Sequence, residues 1–512
     1  MWLPGAPADF QATAIRGPGG AAANAATVQF PWESYLASLA VSAAAAALAA
    51  AIGGSIAAVL SLTDLPGRSF WATAMLLPFL APSMVWTLGQ TYCYGAGGLM
   101  ERWCGDGLRP WLSQLDRGGF VGAALVLAEI HAPLALLLVG RGMAGLQQAG
   151  FESARLYLSP ARLVCWTAGA VRQELAAAFL LSFALSLGNF TVPHVLQCRL
   201  YPIEIYLRLT NYLDHAGALR AATALLVPSL LAALLIAAVE RNRRYGSAAT
   251  ASAMPPIELR SKAWLIGGIF GAYVLFTGLL PVAATIYQCR SAGDFIAVLR
   301  DAAPETENTL RIALGAAALA VLAAAPVSSW IAGRGAGIAK MPAEMLVVAP
   351  LGVGALVLGF AYAQFYNRTW PIDLARLGDT KALIVIGLAA RSWPFVTRAL
   401  IAGRRREAPQ WREAARLASM GWLARWRWIG GPLLFDHLAA GAVLAFVLAM
   451  GEVEISQLLC APGDGTLALR LFTFLHFGPV HVAASLAVLQ LALTALPVFA
   501  YWLFTDRSLQ IV

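Results

Sequence analysis

The chain has 512 residues, of which 59% are hydrophobic and only 12% are charged, and its mean hydropathy is +0.68. Soluble domains carry about 25% charged residues, so this composition excludes an ordinary soluble protein and indicates an integral membrane protein. The net charge of +9 comes from Arg residues scattered between apolar blocks, which is typical of contact with membrane lipid and argues against nucleic-acid binding.

Eleven apolar blocks are long enough to cross a bilayer, which needs about 20 apolar residues in a helix. Backbone groups in lipid must be paired internally, so each block is predicted to be helical and the fold class is all-α integral membrane. The predicted spans lie near residues 35–61, 70–92, 120–140, 173–192, 217–240, 263–288, 309–333, 342–366, 382–402, 433–455 and 480–505.

Two loops between the predicted spans, 241–262 and 398–427, are unusually basic, and the positive-inside rule places both in the cytoplasm. An eleven-span topology satisfies both placements, with 21 Lys and Arg residues in cytoplasmic segments and 12 in outer segments. The predicted location is the bacterial inner membrane, with the N-terminus outside and the C-terminus in the cytoplasm. No cleavable signal peptide is expected, because no basic segment precedes an apolar one at the N-terminus.

The two halves of the chain repeat each other. Residues 152–156 match 413–417, residues 185–188 match 448–451, and Pro133 matches Pro394. Equivalent loops have the same predicted orientation, so the repeat is parallel and predicts a pseudo-twofold axis along the membrane normal.

The repeat predicts two lobes of unequal size. The predicted units are an N-terminal non-spanning segment at 1–34, a first lobe of about five spans at 35–240, a cytoplasmic linker at 241–262 and a second lobe of about six spans at 263–512. The first lobe has no counterpart of the span at 263–288. Either that span was lost, or the true start of the chain lies upstream.

The second basic loop predicts a short helix on the cytoplasmic surface. Pro409 suits a first helical turn, Ala414 and Ala415 are helix formers whose small side chains permit close approach, and Gly421 permits a turn. Pro432 is placed to begin the next span. An amphipathic surface helix without any partner explains the same pattern.

This loop resembles the EAA loop of ABC importer permeases. The likeness consists of Glu-Ala-Ala at 413–415 and a Pro nineteen residues after the Glu, with Ser419 in the usual Gly place. Residues 446–452 and 462–467 look similar to fused permeases of the iron(III)/thiamine type. The resemblance implies two MetI-like lobes and a loop that docks on a separate ATPase. The coupling residues implied in the second loop are Glu413, Ala414, Ala415, Arg416 and Gly421.

The equivalent loop of the first lobe is degenerate, because Leu158 stands in the Gly place. The resemblance extends the docking role to Glu152, Ala154 and Arg155 in this loop. It also implies two copies of a cytoplasmic ABC ATPase and a periplasmic solute-binding protein as partners. The solute stays open among iron(III), thiamine, polyamines and phosphonates.

The chain lacks the motifs of an ATPase or another enzyme. None of its three lysines follows a Gly, so a Walker A loop is absent and ATP with Mg²⁺ is expected on the partner chain. No catalytic residue, cofactor or metal site is predicted. A disulfide between Cys93 and Cys104 and two unpaired thiols both fit the sequence.

Charged and polar groups at membrane depth are candidates for lining a solute path, because their burial is costly. Glu129 and His131 lie in mid-span of the first lobe, and Arg391 lies at the equivalent depth of the second, where it is placed to pair with Glu129. Asn189 and Glu452 occupy equivalent positions after a Gly, and Glu454 follows. Fixed structural ion pairs and solvation at the interface explain the same residues.

The function predicted from the sequence is therefore the permease subunit of a binding-protein-dependent ABC importer. The rival interpretation is a secondary transporter driven by an ion gradient, for which Glu129 and His131 are the best ionisable candidates. A third interpretation is a membrane scaffold without solute flux.

Overall fold

The computed structural model describes residues 31–103, 119–146, 148–241, 257–333, 337–366, 380–406, 413–415, 417–461 and 463–504. Within these ranges the regular structure is helical, apart from one isolated bridge between Thr63 and Ile257. The N-terminal segment up to residue 30, together with Cys104 and Arg416, lies outside the described residues. Cys93 is buried at the end of a helix.

The first lobe contains long helices, pairs of helices that meet at a bend, and short helices. They are α1 (Trp32–Leu62), α2 (Arg68–Leu80), α3 (Ser83–Tyr94), α4 (Gly119–Ala144), α5 (Gln148–Tyr157), α6 (Pro160–Ala170), α7 (Arg172–Leu187), α8 (Thr191–Val195), α9 (Tyr201–Thr210) and α10 (His215–Arg241).

The second lobe begins with an additional span, and the helices after it follow the pattern of the first lobe. Its helices are α11 (Lys262–Val274), a π-helical turn (Leu275–Leu279), α12 (Leu280–Tyr287), α13 (Ala292–Asp301), α14 (Ala303–Ala332), α15 (Gly337–Gly352), α16 (Ala355–Tyr366), α17 (Lys381–Arg406), α18 (Trp422–Arg425), a second π-helical turn (Trp426–Gly430), α19 (Gly431–Met450), α20 (Glu454–Leu459), α21 (Leu467–Phe477) and α22 (Val480–Phe504).

The prediction of an all-α membrane protein is confirmed. The described residues contain 8 helices that are long and apolar enough to cross a membrane, and up to 11 spans if each of three bent helix pairs counts as one. The pairs α2 and α3, α6 and α7, and α15 and α16 bend by 99°, 69° and 109°. The predicted spans 70–92 and 342–366 each contain one of these bends, whereas the predicted span 173–192 begins after the bend between α6 and α7.

Proline and glycine explain two of these bends. Ala81, which precedes Pro82, is extended with φ −75° and ψ 140°, as expected for a residue that Pro keeps out of the helical region. In the second lobe Pro350 lies two residues before the end of α15, and Gly354 follows at the break. Each lobe therefore carries one sharply broken span, at equivalent positions of the repeat.

The two lobes repeat their packing as well as their sequence. Helix α1 packs along α4 in the first lobe, and the equivalent helices α14 and α17 pack together in the second. The lobes also contact each other, because α10 of the first lobe packs on α15 of the second. The two halves thus form one contiguous helical body.

The additional span of α11 and α12 packs on the first lobe although it precedes the second in sequence. Trp71 and Phe270 form an edge-to-face contact with ring centroids 5.9 Å apart. The π-helical turn frees backbone carbonyls for other donors. Gln90 Nε2 donates to the carbonyl of Thr277 at 2.8 Å, and the hydroxyl of Tyr94 donates to that of Phe276. This span therefore joins the second lobe to the broken span of the first.

Segments predicted to share one side of the membrane lie together. Leu62, Leu65, Phe151, Trp166 and Ile257 belong to one apolar cluster, which joins three of the predicted cytoplasmic segments. Another cluster joins residues of α8, α13 and α21, which belong to segments that the sequence predicts to lie outside. The relative placement of these loops agrees with an eleven-span topology.

Candidate functional site between the lobes

The lobes meet most closely at glycines that end equivalent helices. A Cβ atom at Gly188, which follows α7, would lie 2.5 Å from the Cα atom of Gly354 at the break of the second lobe. A Cβ atom at Gly451, which follows α19, would lie 2.9 Å from Cβ of Pro82 at the break of the first lobe. Each lobe thus places a glycine against the broken span of the other.

The buried carboxylate of Glu454 joins both lobes just beyond these contacts. Oε1 accepts hydrogen bonds from the backbone N–H of Phe190 at 2.9 Å and from the N–H and hydroxyl of Thr191 at 3.3 and 3.2 Å. Oε2 accepts from the N–H of Leu356 at 3.1 Å. These donors lie at the N-terminal ends of α8 and α16, where backbone N–H groups lack helical partners and favour a negative charge.

Asn189 and Glu452 have the same structural role in the two lobes. Asn189 Oδ1 accepts from the N–H of Val192 at 2.9 Å and caps α8. Glu452 Oε1 accepts from the N–H of Glu454 at 3.2 Å, and its carboxylate also bonds the N–H of Ile455 in α20. Both side chains are half-buried, and both hold the short helix that follows them.

Arg391 donates hydrogen bonds to backbone carbonyls at the break in the span of its own lobe. Its Nη1 atom donates to the carbonyls of Pro350 and Val353, both at 3.0 Å, where α15 ends. Helix C-termini expose carbonyls without helical partners and favour a cation. Arg391 also interacts electrostatically with Glu452, Glu454 and His131, so it is the cation at the centre of this polar group.

The predicted ion pair between Glu129 and Arg391 is not present in the described part of the chain. Glu129 Oε2 instead accepts from Gln90 Nε2 at 2.9 Å and from Trp86 Nε1 at 3.3 Å, and both donors lie on α3 of its own lobe. The bend at Pro82 turns α3 towards α4 and brings these donors within reach. The pseudo-twofold relates the two residues by position, but the hydrogen bonds described for each residue go to its own lobe.

His131 is buried on α4 and bonds within the first lobe. Its Nδ1 atom lies 2.9 Å from the hydroxyl oxygen of Ser186 on α7. His131, Arg391, Asn189 and Glu452 therefore lie within one region near the lobe interface, whereas Glu129 faces α3. Their role in lining a solute path stays a prediction.

The two predicted coupling loops share a pattern of burial that the sequence did not indicate. Ala154 and Ala415 occupy equivalent positions and are only 8% and 2% exposed, whereas the equivalent Leu156 and Leu417 are 81% and 87% exposed. The small Ala faces the protein, and a large apolar side chain faces outwards. Ala414 is exposed as well, so Ala154 and Ala415 face the protein whereas Ala414 and the two leucines face outwards.

The backbone conformation at the end of the second loop explains why the EAA pattern usually has Gly at the position of Ser419. Ser419 has a positive φ of 50°, in the left-handed region that favours glycine, and Met420 N donates to the carbonyl of Ala415 at 3.0 Å to close the turn. Glu413 and Gly421 are exposed beside it. In the first loop Glu152 is half-buried and Arg155 is exposed on α5, which packs on α6 through Phe151 and Trp166.

Glu454 is the residue of this region that sequence reasoning undervalued. Glu454 lies two residues after Glu452 in the sequence. Its hydrogen-bond donors are 98 and 264 positions away, and no local sequence pattern indicates them. Among the described residues, no group of three or more His, Cys, Asp or Glu is placed to hold a metal ion.

Comparison with known proteins gives relatives across most of the chain. No family model matches. The thiamine transport system permease protein ThiP of Brucella abortus (strain 2308) is 26% identical over 459 residues, covering 84% of this chain and 80% of the relative. The protein of the same name from Brucella suis biovar 1 (strain 1330) is 26% identical over 463 residues, with the same coverage.

This chain is similar to thiamine transport permeases. The alignment covers most of both chains, so the likeness includes both lobes and not one motif alone. It confirms the resemblance to thiamine-type permeases noted from residues 446–452 and 462–467. Together with the apolar helices, it supports a multi-pass membrane permease of the bacterial inner membrane.

Proposed function

We propose that this chain is the permease subunit of a binding-protein-dependent ABC importer and that both of its lobes dock on a separate ATPase. The N-terminus lies outside, the C-terminus lies in the cytoplasm, and the loops around Glu152 and Glu413 face the cytosol. Two copies of the ATPase carry ATP and Mg²⁺, and a periplasmic binding protein delivers the solute to the opposite face.

The observation that carries this proposal is the matched exposure of Leu156 and Leu417. Single exposed apolar side chains are common on protein surfaces, so one such residue alone would carry no argument. Here they occur twice, at equivalent positions of a repeat, next to alanines that anchor each loop to its lobe. Two identical ATPase subunits related by a twofold axis require such a pair of matched sites.

The glycine contacts at the lobe interface support movement of the lobes against each other. Neither Gly188 and Gly354 nor Gly451 and Pro82 interlock through long side chains, so a small rotation separates both pairs. Closure of the ATPase pair would draw the two loops together and rock the lobes, so that the path opens alternately to either side. Glu452, Glu454 and Arg391 lie next to this interface, and we propose that they line the path together with His131 and Asn189.

The solute that we propose first is thiamine or a similar organic cation, because the relatives are named for thiamine transport. Near the lobe interface the carboxylates of Glu452 and Glu454 outnumber the guanidinium of Arg391, which is consistent with a cation. Uptake of labelled thiamine into proteoliposomes tests this point, with an organic anion as the comparison solute.

The docking role is tested by co-purifying the tagged chain with the ATPase of its importer. Leu417→Asp and Leu156→Asp should each reduce ATPase capture, and the double variant should abolish it, because a charge replaces the apolar contact. Leu213→Asp is the matched control, since Leu213 is 69% exposed at the opposite end of the molecule.

Full ATPase capture by the double variant would overturn the docking proposal. ATP-dependent uptake in proteoliposomes separates the importer from the rival secondary transporter. Uptake that needs an ion gradient and not ATP would favour the rival, and no flux under either condition would favour a scaffold.

A further inference from the structure

Two histidines from different lobes meet at the predicted outer end of the molecule. His194 lies on α8 of the first lobe and His476 lies on α21 of the second, and their Nε2 atoms are 2.8 Å apart. Both residues lie outside the long apolar helices. Neither takes part in the polar region around Arg391, and the proposed transport function does not use them.

The second lobe makes the pseudo-equivalent contact with different side chains. Gln457 of α20 donates from Nε2 to the hydroxyl of Tyr206 on α9 at 2.8 Å. The spacing of the repeat relates His194 to Gln457, because both lie six residues after the glycine that ends the preceding long helix. Two polar contacts thus join the lobes at this end, and only one of them consists of two imidazoles.

The hydrogen bonds leave the His476 ring ready to bind a cation. His476 Nδ1 lies 2.8 Å from the carbonyl oxygen of Phe472, which can only accept, so Nδ1 carries the proton. The Nε2 lone pair of His476 therefore points towards His194. A metal-binding histidine is commonly held in this way, with its other ring nitrogen donating to a backbone carbonyl.

Aromatic packing fixes the orientation of the His194 ring. Its centroid lies 4.7 Å from that of Phe190, 5.2 Å from that of Phe472 and 5.8 Å from that of Tyr206. These contacts hold the ring beside His476. A neutral imidazole is the form that binds metal ions.

We propose that His194 and His476 bind a divalent transition-metal ion such as Zn²⁺ across the boundary between the lobes. Zn–N bonds of about 2.0–2.1 Å at a tetrahedral angle require the two nitrogens to lie roughly 3.3 Å apart. The observed separation of 2.8 Å is that of a hydrogen bond between the rings, so binding requires the nitrogens to separate by about half an ångström, His194 to move its proton from Nε2 to Nδ1, and the rings to turn until both lone pairs face the ion. His476 is exposed, so water completes the coordination.

The class of ion follows from the ligands. Imidazole nitrogen suits Zn²⁺, Cu²⁺ and Ni²⁺, whereas Mg²⁺ and Ca²⁺ prefer oxygen. One ligand comes from each lobe, so the bound ion links α8 to α21 and opposes separation of the lobes at this end. This consequence for transport rests on the proposed function, whereas the binding of the metal does not.

The experiment is a calorimetric titration of the purified full chain with Zn²⁺ at pH 7.5 in detergent, without ATPase or binding protein. We expect one ion per chain and no binding of Mg²⁺. His194→Gln and His476→Gln should each weaken Zn²⁺ binding by at least about tenfold, because removing even an outer partner of a ligand costs 10–100-fold. Glutamine already occupies the equivalent position 457, so His194→Gln should fold. His481→Gln is the matched control and should leave binding unchanged.

A second variant keeps the proposal falsifiable if the Gln variants are unstable. His476→Cys supplies a thiolate, which is also a Zn²⁺ and Co²⁺ ligand, and should give a near-ultraviolet thiolate–Co²⁺ absorption band that the wild-type chain lacks. Zn²⁺ binding that survives both Gln substitutions, or absence of binding to the wild-type chain, would overturn the proposal. So would a His476→Cys chain without the absorption band. None of these results depends on whether the chain transports a solute.

Discussion

The two lobes have the same backbone plan around the broken span but opposite charges beside it. In the second lobe the guanidinium of Arg391 donates to carbonyls that the break exposes. In the first lobe the carboxylate of Glu129 accepts from Trp86 and Gln90, which lie beyond the break. The repeat therefore places a charged side chain beside the break in both lobes. That side chain is a guanidinium in the second lobe and a carboxylate in the first. A path between such lobes is chemically asymmetric although its walls are related by a pseudo-twofold axis.

The largest effect is expected where one side chain serves both lobes. Glu454→Leu removes the acceptor of backbone N–H groups at two helix ends, and each buried donor left without a partner costs about 1–3 kcal/mol. We expect the free energy of unfolding to fall by at least about 3 kcal/mol, measured by denaturant unfolding in micelles. Glu307→Leu is the control, because its exposed pair with Arg311 is worth about 0.5 kcal/mol. Equal losses in the two variants would contradict the bridging role.

The next effect separates the two lobes directly. Arg391→Leu leaves two carbonyls at the break without their donor and should lower the free energy of unfolding by about 2–4 kcal/mol. Glu129→Gln should cost less than about 1 kcal/mol, because the amide oxygen still accepts from Trp86 and Gln90. Thermal unfolding of both variants in the same detergent measures the difference. A larger loss for Glu129→Gln would contradict the proposed difference between the lobes.

The glycine contacts predict a smaller effect that is also unequal between the lobes. Gly188→Ala and Gly451→Ala insert a methyl group at the lobe interface and should each cost about 1–3 kcal/mol. The loss should be larger for Gly188, whose added Cβ meets backbone at 2.5 Å, than for Gly451, whose Cβ meets Pro82 at 2.9 Å. Gly267→Ala is the control, since nothing lies within 4 Å of the added atom. Stability equal to that of the control would show that the lobes are not in close contact.

The last effect appears only on acidification, as a dependence of stability on pH. The pKa of His194 is lowered in the folded chain from its ordinary value of 6.5 to about 4, so the unfolded chain binds the proton more readily. The contribution of this residue is present above pH 6.5 and is lost as the pH falls towards 4. His194→Gln should therefore unfold with a flatter pH profile than the wild-type chain over this range. Parallel profiles would show that His194 is not buried as described.

The sequence predicted the spans and the repeat because both depend on local composition and spacing. It did not predict the three bends, since hydropathy does not distinguish a straight apolar helix from one broken at Ala81 and Pro82. The hydrogen-bond partners of Glu129, Arg391 and Glu454 could not be predicted either, because they depend on the directions that the helices take after each break. The exposure of Leu156 and Leu417 could have been inferred from their shared phase relative to Ala154 and Ala415.

The contact between His194 and His476 could not be predicted from the sequence either. The two residues are 282 positions apart, and no pattern in either segment links them. Only the docking of α8 against α21 brings the rings together. Sequence reasoning therefore located the lobes and the loops, whereas contacts between the lobes required the structure.

An ATPase in the cytosol can dock on the two predicted coupling loops only if both loops lie on the cytoplasmic side of the membrane. A short protease site is inserted beside Tyr157 in one chain and beside Gly421 in another, because both positions are exposed. Each chain is then treated with protease in right-side-out and inside-out membrane vesicles. The account predicts cleavage of both chains only in inside-out vesicles, where the cytoplasmic face is accessible. Cleavage of either chain in right-side-out vesicles would place a loop where no cytoplasmic ATPase can reach it and would contradict the account.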